Sequence, residues 1–323
     1  MEDLTQNNES SSQFPLNAIP LGKPRILITG ANGFTGKHAC QYFMNENYHV
    51  IAVTRMATNQ ISNRLITYEK CELTDKQAVK MLIKKTKPDF LLHLAGQNHV
   101  EASWSDPLGS LEANVFSTAY LLEALRNEES DCRIVVVGSS LEFNPADFSA
   151  PHHPYALSKT LQTLIAQSWE MLYGMNVIIA KPSNLIGPGI SFGQCSILAK
   201  KVVEMEFTNA EKILKVINLH ARLDFLDVRD AILAYDTLFQ KGIPGKMYVI
   251  SSGKYKYLKD LINTLRLYSS VEFEIQTLGN YLEVVKPLRP NSINKLGWQP
   301  SISFEESIQD ILSYYRDVSL GFS

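Results

Sequence analysis

Tyr155 and Lys159 are the residues whose types and spacing most directly suggest chemistry. Residues four apart lie on one face of a helix, so the sequence predicts that the phenol and the ammonium are neighbours. A nearby positive charge favours the phenolate, which lets a tyrosine exchange a proton near neutral pH. Ser139 follows an apolar run and is predicted to come from the tip of a neighbouring strand, where it would hydrogen-bond the reacting oxygen.

A glycine-rich turn near the start of the chain supplies a context for these residues. The apolar run 25–29 leads directly into the turn 30–36, GANGFTG, which opens a predicted helix. Glycines at such a turn let the backbone approach a pyrophosphate, and the helix N-terminus offers unpaired N–H groups. The turn therefore predicts dinucleotide binding, with a packing turn that binds no ligand as the alternative. The predicted cofactor residues here are Gly30, Asn32, Gly33, Phe34, Thr35 and Gly36.

Two further segments extend the predicted cofactor site. Arg55 follows the second predicted strand, where an NAD-preferring site usually has an acidic residue. Its forked donors could pair with a 2′-phosphate, so we expect NADPH rather than NADH, with a solvated surface arginine as the alternative. Downstream, Leu94, Ala95 and Gly96 follow another strand and would permit close approach to the cofactor. We interpret the preceding His93 as a packed, hydrogen-bonded histidine.

Short apolar runs alternate with longer helical stretches through most of the chain. Strands are predicted at 25–29, 49–54, 65–68, 89–95, 133–138 and 175–180. Helices are predicted at 33–46, 74–85 with Thr74 as N-cap, 107–127, 154–173 and 228–240. Near-continuous apolar strands separated by helices indicate a parallel sheet covered on both faces. We therefore predict an α/β fold with a doubly wound, Rossmann-type parallel sheet.

The alternation of predicted strands and helices becomes irregular after residue 181, which predicts a second, smaller unit. We assign residues 23–180 and 222–250 to a dinucleotide-binding domain, with 222–250 returning to the sheet. Residues 181–221 and 251–323 are assigned to a substrate-binding lobe. Residues 1–22 are polar and lack a basic-then-apolar signal, so a disordered leader is expected there.

Composition excludes several classes of function. There are 31 Lys and Arg against 33 Asp and Glu, a net charge of −2, which argues against a nucleic-acid or acidic-membrane partner. No apolar run approaches the roughly 18 residues that span a bilayer. The four cysteines have no metal-ligand spacing, so we expect reduced thiols, no metal site and a cytoplasmic protein.

Taken together, these motifs resemble the extended short-chain dehydrogenase/reductase family over nearly all of residues 24–318. The matching blocks are GANGFTG (30–36), HLAG (93–96), NVFST (114–118), GSS (138–140), PYALSK (154–159), NLIGPG (184–189) and RLDFLDVRDAI (222–232). Within the family, the chain most resembles the reductases of GDP-4-keto-6-deoxymannose and of related nucleotide-linked 4-keto-6-deoxysugars. Relatives act on UDP- or dTDP-linked sugars, so the nucleotide base stays open.

The resemblance implies roles by position. Ser139, Tyr155 and Lys159 match the catalytic residues, with Tyr155 and Lys159 also contacting the cofactor. Asn114 matches a residue of the cofactor side that supports the active-site helix. The positions that correspond to substrate contacts are Ser103, Trp104, Ser140, Asn184, Arg222 and Arg289. A homodimer through the helices at 107–127 and 154–173 is also implied.

Two departures from the family pattern bear on the reaction. Related dehydratases have a glutamate two residues after the catalytic Ser/Thr, where this chain has Leu141, which cannot take a proton. Glu142 is adjacent but is expected to point elsewhere, so dehydration is disfavoured. The C-terminal segment has Asn280 to Glu283 where an Arg-Pro-x-Glu is usual, and Arg289 follows later, so the arginine that contacts the nucleotide stays open. The expected function is reduction of an NDP-4-keto-6-deoxyhexose; a 4,6-dehydratase, an epimerase and a non-catalytic NAD(P) sensor are the alternatives.

Overall fold

A seven-stranded parallel sheet is the centre of the molecule. The computed structural model describes residues 22–56, 62–146, 151–279 and 288–321. The strands of this sheet are β1 (Arg25–Thr29), β2 (His49–Thr54), β3 (Ile66–Lys70), β4 (Phe90–His93), β5 (Arg133–Val137), β6 (Val177–Pro182) and β10 (Met247–Ile250). Their order is β10-β6-β5-β4-β1-β2-β3, and all neighbouring pairs are parallel. From β1 the strands are added in order towards one edge of the sheet as far as β3, and from β4 onwards towards the other edge. This reversal of the strand order between β1 and β4 makes the sheet doubly wound.

Helices cover both faces of this sheet because successive side chains of a strand point to opposite sides. In β1, Ile26 and Ile28 join one apolar core, whereas Leu27 joins the other. The helices of the domain are α1 (Phe34–Asn45), α2 (Lys76–Thr86), α3 (Val100–Ser105), α4 (Pro107–Leu111), α5 (Ser117–Asn127) and α6 (Pro154–Tyr173). The first core also takes in α8 (Val228–Lys241). The predicted Rossmann-type α/β fold is therefore confirmed.

A smaller lobe surrounds a third apolar core. Its strands are β7 (Asn184–Ile186), β8 (Ile213–Val216), β9 (Arg222–Asp227), β11 (Tyr255–Tyr257) and β12 (Glu274–Thr277), and its helices are α7 (Gln194–Phe207), α9 (Leu258–Tyr268) and α11 (Phe304–Ser319). The short α10 (Asn291–Asn294) instead packs against the first core through Ile293. Strand β9 pairs with β7 and β11 rather than with the large sheet. Of the segment 222–250, only α8 and β10 thus return to the large sheet, and the prediction was wrong for β9.

Two helices differ from the predicted ones, one at its start and one in its interior. Asp75, not Thr74, caps α2, because its carboxylate accepts hydrogen bonds from the Gln77 and Ala78 N–H groups. The predicted helix 107–127 is continuous but contains a π-helical turn at Glu112–Phe116. Such turns often mark functional sites, and this one contains Asn114.

Two of the sequence-based expectations fall wholly or partly outside the described residues. They concern the leader and the segment from Asn280 to Glu283. Within the described part of the chain, no helix is long and apolar enough to cross a membrane.

Candidate active site

A single large cleft collects most of the residues that the sequence singled out. It has a volume of about 1450 Å³ and lies where the carboxyl ends of the parallel strands face the lobe. Ligands of open α/β sheets bind in this crevice, at the point where the strand order reverses. The predicted residues that line it are Gly30, Asn32, Gly33, Phe34, Thr35, Gly36, Arg55, Leu94, Ala95, Gly96, Ser139, Ser140, Tyr155, Lys159 and Asn184.

The glycine-rich turn has a backbone that side chains would not tolerate. Gly30 has a φ of +69°, and a Cβ there would lie 3.0 Å from the Ala95 nitrogen. A Cβ on Gly36 would lie 2.1 Å from the Gly30 carbonyl oxygen, well inside contact distance. Helix α1 begins immediately after Gly33, which has no side chain to cap the first N–H groups. These groups remain available to an anion, so the turn fits a dinucleotide pyrophosphate.

Cationic side chains line the part of the cleft near the end of β2. Arg55 directly follows Thr54, the last residue of that strand, and its side chain is exposed to the cleft. Lys37, in the first turns of α1, also lines the cleft. No acidic residue takes the place of Arg55 at this strand end, where it would favour a ribose with a free 2′-hydroxyl.

A buried chain of polar side chains runs beneath the part of the cleft that Leu94 and Ala95 line. The Thr29 hydroxyl accepts the Leu94 and Ala95 N–H groups, each at 3.1 Å, and therefore donates its own hydrogen to His93 Nδ1 at 2.8 Å. His93 Nε2 then donates to the Thr118 hydroxyl at 2.9 Å. Burial lowers the pKa of His93 to about 3, so the ring is neutral at physiological pH. The interpretation of His93 as a packed, hydrogen-bonded histidine agrees with these contacts.

Two buried side chains fix the start of the helix that contains Tyr155. The Asn114 amide donates to the Ser158 hydroxyl at 2.8 Å, and its oxygen accepts the Gln97 N–H at 2.8 Å. Ser103 accepts the Tyr155 N–H at 3.0 Å and donates to the Val100 carbonyl. Asn114 and Ser103 are both fully buried and line no part of the cleft. Both therefore position α6, whereas the resemblance had implied a contact of Ser103 with the sugar.

Tyr155 and Lys159 share one face of α6 and both line the cleft. Burial raises the pKa of Tyr155, and the Ser139 side chain, as a hydrogen-bond partner, offsets part of this rise. Lys159 Nζ donates to the Val137 carbonyl at 2.7 Å and to Gln162 Oε1 at 2.5 Å. Burial lowers the pKa of Lys159 to about 8, so its ammonium is present at neutral pH and is lost above it.

Ser139 lies in a tight turn at the end of β5. Its hydroxyl accepts the Leu141 N–H at 3.1 Å, which orients the oxygen within the turn. Leu141 is 52% exposed and lines the cleft. Glu142 points away from the cleft, as expected, and forms an ion pair with Lys181 on β6. No local motif predicts that pairing, because the two residues are far apart in the chain.

The predicted substrate contacts divide into two groups. Asn184 and Ser140 line the cleft; the Asn184 amide donates to the Asp224 carbonyl at 3.0 Å. Trp104 is 63% exposed, and like Arg222 and Arg289 it does not contribute to the cleft lining. Arg222 instead lies over two tyrosine rings of β11.

Sequence reasoning missed several residues around the site. They are Gln97, His99, Gln162, Lys181 and Phe192. Among them, Phe192 of the lobe contacts the His99 ring edge-on at 4.8 Å, and both line the cleft. No local motif signals such a contact, since it depends on how the lobe meets the sheet.

Metal and thiol chemistry find no support in this region. Across the described ranges, no group of three His, Cys, Asp or Glu side chains could hold a metal ion. All four cysteines are buried and unpaired. Burial raises the pKa of the Cys71 thiol to about 11, so it is protonated at neutral pH.

Comparison with known proteins identifies relatives over nearly the whole chain. The model of the NAD dependent epimerase/dehydratase family matches residues 26–251. GDP-6-deoxy-D-mannose reductase of Pseudomonas aeruginosa is 29% identical over 90% of this chain and 96% of its own length. The dTDP-D-glucose 4,6-dehydratase of Bos taurus is 27% identical over 93% of this chain and 92% of its own.

Solved structures show the same similarity. RMD from Pseudomonas aeruginosa, complexed with NADPH, superposes with a TM-score of 0.78 at 26% identity, over 92% of this chain and all of that one. The Thermus thermophilus UDP-glucose 4-epimerase in complex with NAD gives a TM-score of 0.78 at 21% identity, over 90% of this chain and 99% of that one. The second likeness concerns the fold alone.

Proposed function

The chain belongs to the NAD dependent epimerase/dehydratase family, the extended short-chain dehydrogenase/reductases, and from that premise we propose the reaction it catalyses. It is a sugar-nucleotide-modifying enzyme that reduces the C4 ketone of a nucleotide-linked 4-keto-6-deoxyhexose with NADPH. GDP is the favoured nucleotide, because a GDP-6-deoxy-D-mannose reductase is similar to this chain over nearly the full length of both.

The main support for this proposal is the set of side chains in the cleft that can donate or accept a proton. Among the described residues that line it, the carboxylates are Glu72 and Asp106. Glu72 accepts the Thr74 N–H and hydroxyl, and Asp106 caps helix α4. Both carboxylates already accept hydrogen bonds from residues close to them in the chain, and Leu141 offers no oxygen at all. A site with a proton donor but no spare carboxylate suits ketone reduction better than dehydration.

The cofactor is proposed from the glycine-rich turn and the cations beside it. The uncapped start of α1 would hold the pyrophosphate, and Arg55 would pair with a 2′-phosphate through its forked donors. Lys37 adds a second positive charge. NADPH is supported further by the NADPH complex of a similar protein, although other structural neighbours contain NAD.

Three side chains perform the proton transfer in this proposal. NADPH, when bound, supplies a hydride to the carbonyl carbon. Tyr155 donates its phenolic proton to the carbonyl oxygen, so that an alcohol forms, and takes a proton back from solvent afterwards. Ser139 hydrogen-bonds the same oxygen and stabilises the charge that develops there. Lys159 binds the cofactor ribose and stabilises the phenolate left after the transfer.

We also propose that the protein is a homodimer. The outer face of α6 carries Leu157, Leu164 and Met171 at intervals of seven residues, so they form one stripe. All three are exposed in the single chain, Met171 by 80%. A second copy that packs the same face against this one would bury the stripe.

The test of the reaction is consumption of NADPH with a panel of GDP-, UDP- and dTDP-linked 4-keto-6-deoxyhexoses, followed at 340 nm. We expect turnover with one nucleotide and a loss of at least 10²-fold in kcat for Tyr155→Phe, the scale of general-acid catalysis. Product formed without net loss of NADPH would instead identify an epimerase or a dehydratase. A protein that binds NADPH but turns over none of these sugars, and whose Tyr155→Phe variant keeps its full function in the cell, would be identified as a non-catalytic sensor.

A further inference from the structure

Glu142 is a buried acid beside the catalytic residues that the proposed reaction does not use. Its side chain is only 3% exposed, although it belongs to the turn that follows β5. One carboxylate oxygen accepts the Ser139 N–H at 2.7 Å, and the other pairs with Lys181 Nζ at 3.0 Å. Both oxygens thus have strong partners, one of them the backbone of the catalytic serine.

The glycine before Ser139 leaves room for this carboxylate. Gly138 immediately precedes Ser139, and a Cβ on it would lie 2.3 Å from Glu142 Oε1. The carboxylate therefore occupies the volume that any other residue at position 138 would need. The same Cβ would lie 3.1 Å from the hydroxyl of Thr163, which is buried without a partner among the described residues.

The charged and titratable groups around Glu142 come from three elements. Lys181 pairs with it from β6, the Ser139 N–H donates to it from the end of β5, and Tyr155 and Lys159 on α6 lie within reach of its charge. A negative charge among these groups opposes loss of the phenolic proton and favours the ammonium.

We propose that Glu142 is a positioning residue that holds the Ser139 turn in place and, as a buried negative charge bonded to that turn, opposes the ionisation of Tyr155. The proposal rests on the proposed function, since a ketone reductase needs Tyr155 as an acid at the start of each turnover. An enzyme that first oxidises an alcohol needs the opposite, a phenolate that accepts a proton. A buried carboxylate here thus adapts the shared Ser-Tyr-Lys arrangement to reduction.

The direction of the electrostatic effect agrees with this role. Burial is the main reason that the pKa of Tyr155 is raised, and the charge of Glu142 raises it further. The same charge opposes the loss of the Lys159 proton, although burial still lowers the pKa of that ammonium to about 8. Glu142 therefore moves both groups towards their protonated forms.

The test compares charge removal on the two sides of the ion pair. Glu142→Gln keeps an oxygen for the Ser139 N–H but removes the negative charge, so we expect the pKa of Tyr155 to fall. Lys181→Gln leaves the carboxylate unpaired and should move that pKa in the opposite direction. A purely structural role would not give opposite shifts. The readout is the ¹³Cζ signal of labelled tyrosine in the cofactor-free protein, assigned with Tyr155→Phe.

Kinetics supply the second readout and Glu206 the matched control. Glu206 is 4% exposed and is paired with Arg316 in the lobe, so Glu206→Gln also removes a buried paired charge. We expect kcat to fall about tenfold in Glu142→Gln, with KM and the Kd of NADPH within twofold, and no change of kcat in Glu206→Gln. Displacement of a reacting group by about 1 Å can cost up to 10²-fold, so tenfold corresponds to a smaller displacement.

Each result decides for or against the role of Glu142. Opposite shifts of the Tyr155 titration support it, whereas equal titrations in the wild type and both variants overturn it. An equal loss of kcat in Glu142→Gln and Glu206→Gln also overturns it. If Glu142→Gln proves too unstable to titrate, Lys181→Gln decides alone by the direction of its shift. Because the titration needs no substrate, it stays informative even if none of the keto sugars is turned over.

Discussion

The burial of Lys159 predicts that the free energy of unfolding of the protein depends on pH. Its ammonium is buried beside the cleft, and burial lowers its pKa from 10.5 to about 8. Between these values the unfolded chain keeps the proton that the folded protein has released. Unfolding then becomes less favourable as pH rises, because the unfolded state binds more protons.

The size of this effect follows from the gap between the two pKa values. At 1.36 kcal/mol per pKa unit, a group that moves from 10.5 to about 8 changes the free energy of unfolding by ~3 kcal/mol across that range. Methionine fills a similar volume without titrating. The difference in unfolding free energy between wild type and Lys159→Met should therefore move by ~3 kcal/mol in favour of the wild type between pH 7.5 and 10.5.

Urea unfolding at a series of pH values measures this difference. Lys200→Met is the matched control, because the Lys200 side chain is 61% exposed and its variant should track the wild type throughout. The same ionisation should limit activity, since kcat/KM should fall above an apparent pKa of about 8 as the ammonium is lost. If the difference in unfolding free energy between the wild type and Lys159→Met stays constant with pH, Lys159 does not have the lowered pKa on which the prediction depends.

Four other changes test separate parts of the account. Arg55→Ala should weaken NADPH binding about tenfold to 10²-fold in calorimetry and leave NADH within twofold, because only NADPH has the 2′-phosphate; equal losses would contradict this. Gly36→Ala, whose Cβ would lie 2.1 Å from a carbonyl oxygen, should reduce NADPH binding at least tenfold by fluorescence, and unchanged binding would show that the turn can relax. The folded protein resists protonation of His93 down to a pKa of about 3, so the free energy of unfolding of the wild type should fall by about 2 kcal/mol relative to that of His93→Asn between pH 6.5 and 4.5 in chemical unfolding; parallel curves would argue against a neutral buried ring. Leu164→Lys should halve the mass measured by light scattering, and a wild-type mass would exclude the proposed dimer face.

The backbone of the glycine-rich turn, where we propose that the cofactor binds, could be predicted from the sequence because its signals are local. A buried strand, a glycine turn and a helix start are consecutive in the chain, and each limits the backbone of the next. Gly36 shows why, since a single added carbon would meet the Gly30 carbonyl a few residues away. The prediction for His93 held for a similar reason, because it ends a fully apolar strand.

The contacts that hold the residues of the site in place could not be predicted from the sequence, because they join residues that are distant in the chain. Ser103 was assigned to the sugar by its position in a motif, but its hydroxyl holds the Tyr155 N–H 52 residues later. Glu142 and Lys181 form an ion pair across two strands, and neither has a neighbour that hints at the other. The placing of β9 was wrong because its apolar pattern suits the small sheet as well as the large one.

Transfer of deuterium tests the central claim most directly. NADPH with deuterium on C4 of its nicotinamide would be mixed with enzyme and GDP-4-keto-6-deoxymannose, and the product sugar examined by mass spectrometry and NMR. The account predicts one deuterium at C4 of the sugar for each NADPH consumed, and none with Tyr155→Phe. A product without deuterium, formed while NADPH stays constant, would contradict the claim that this chain is a ketone reductase.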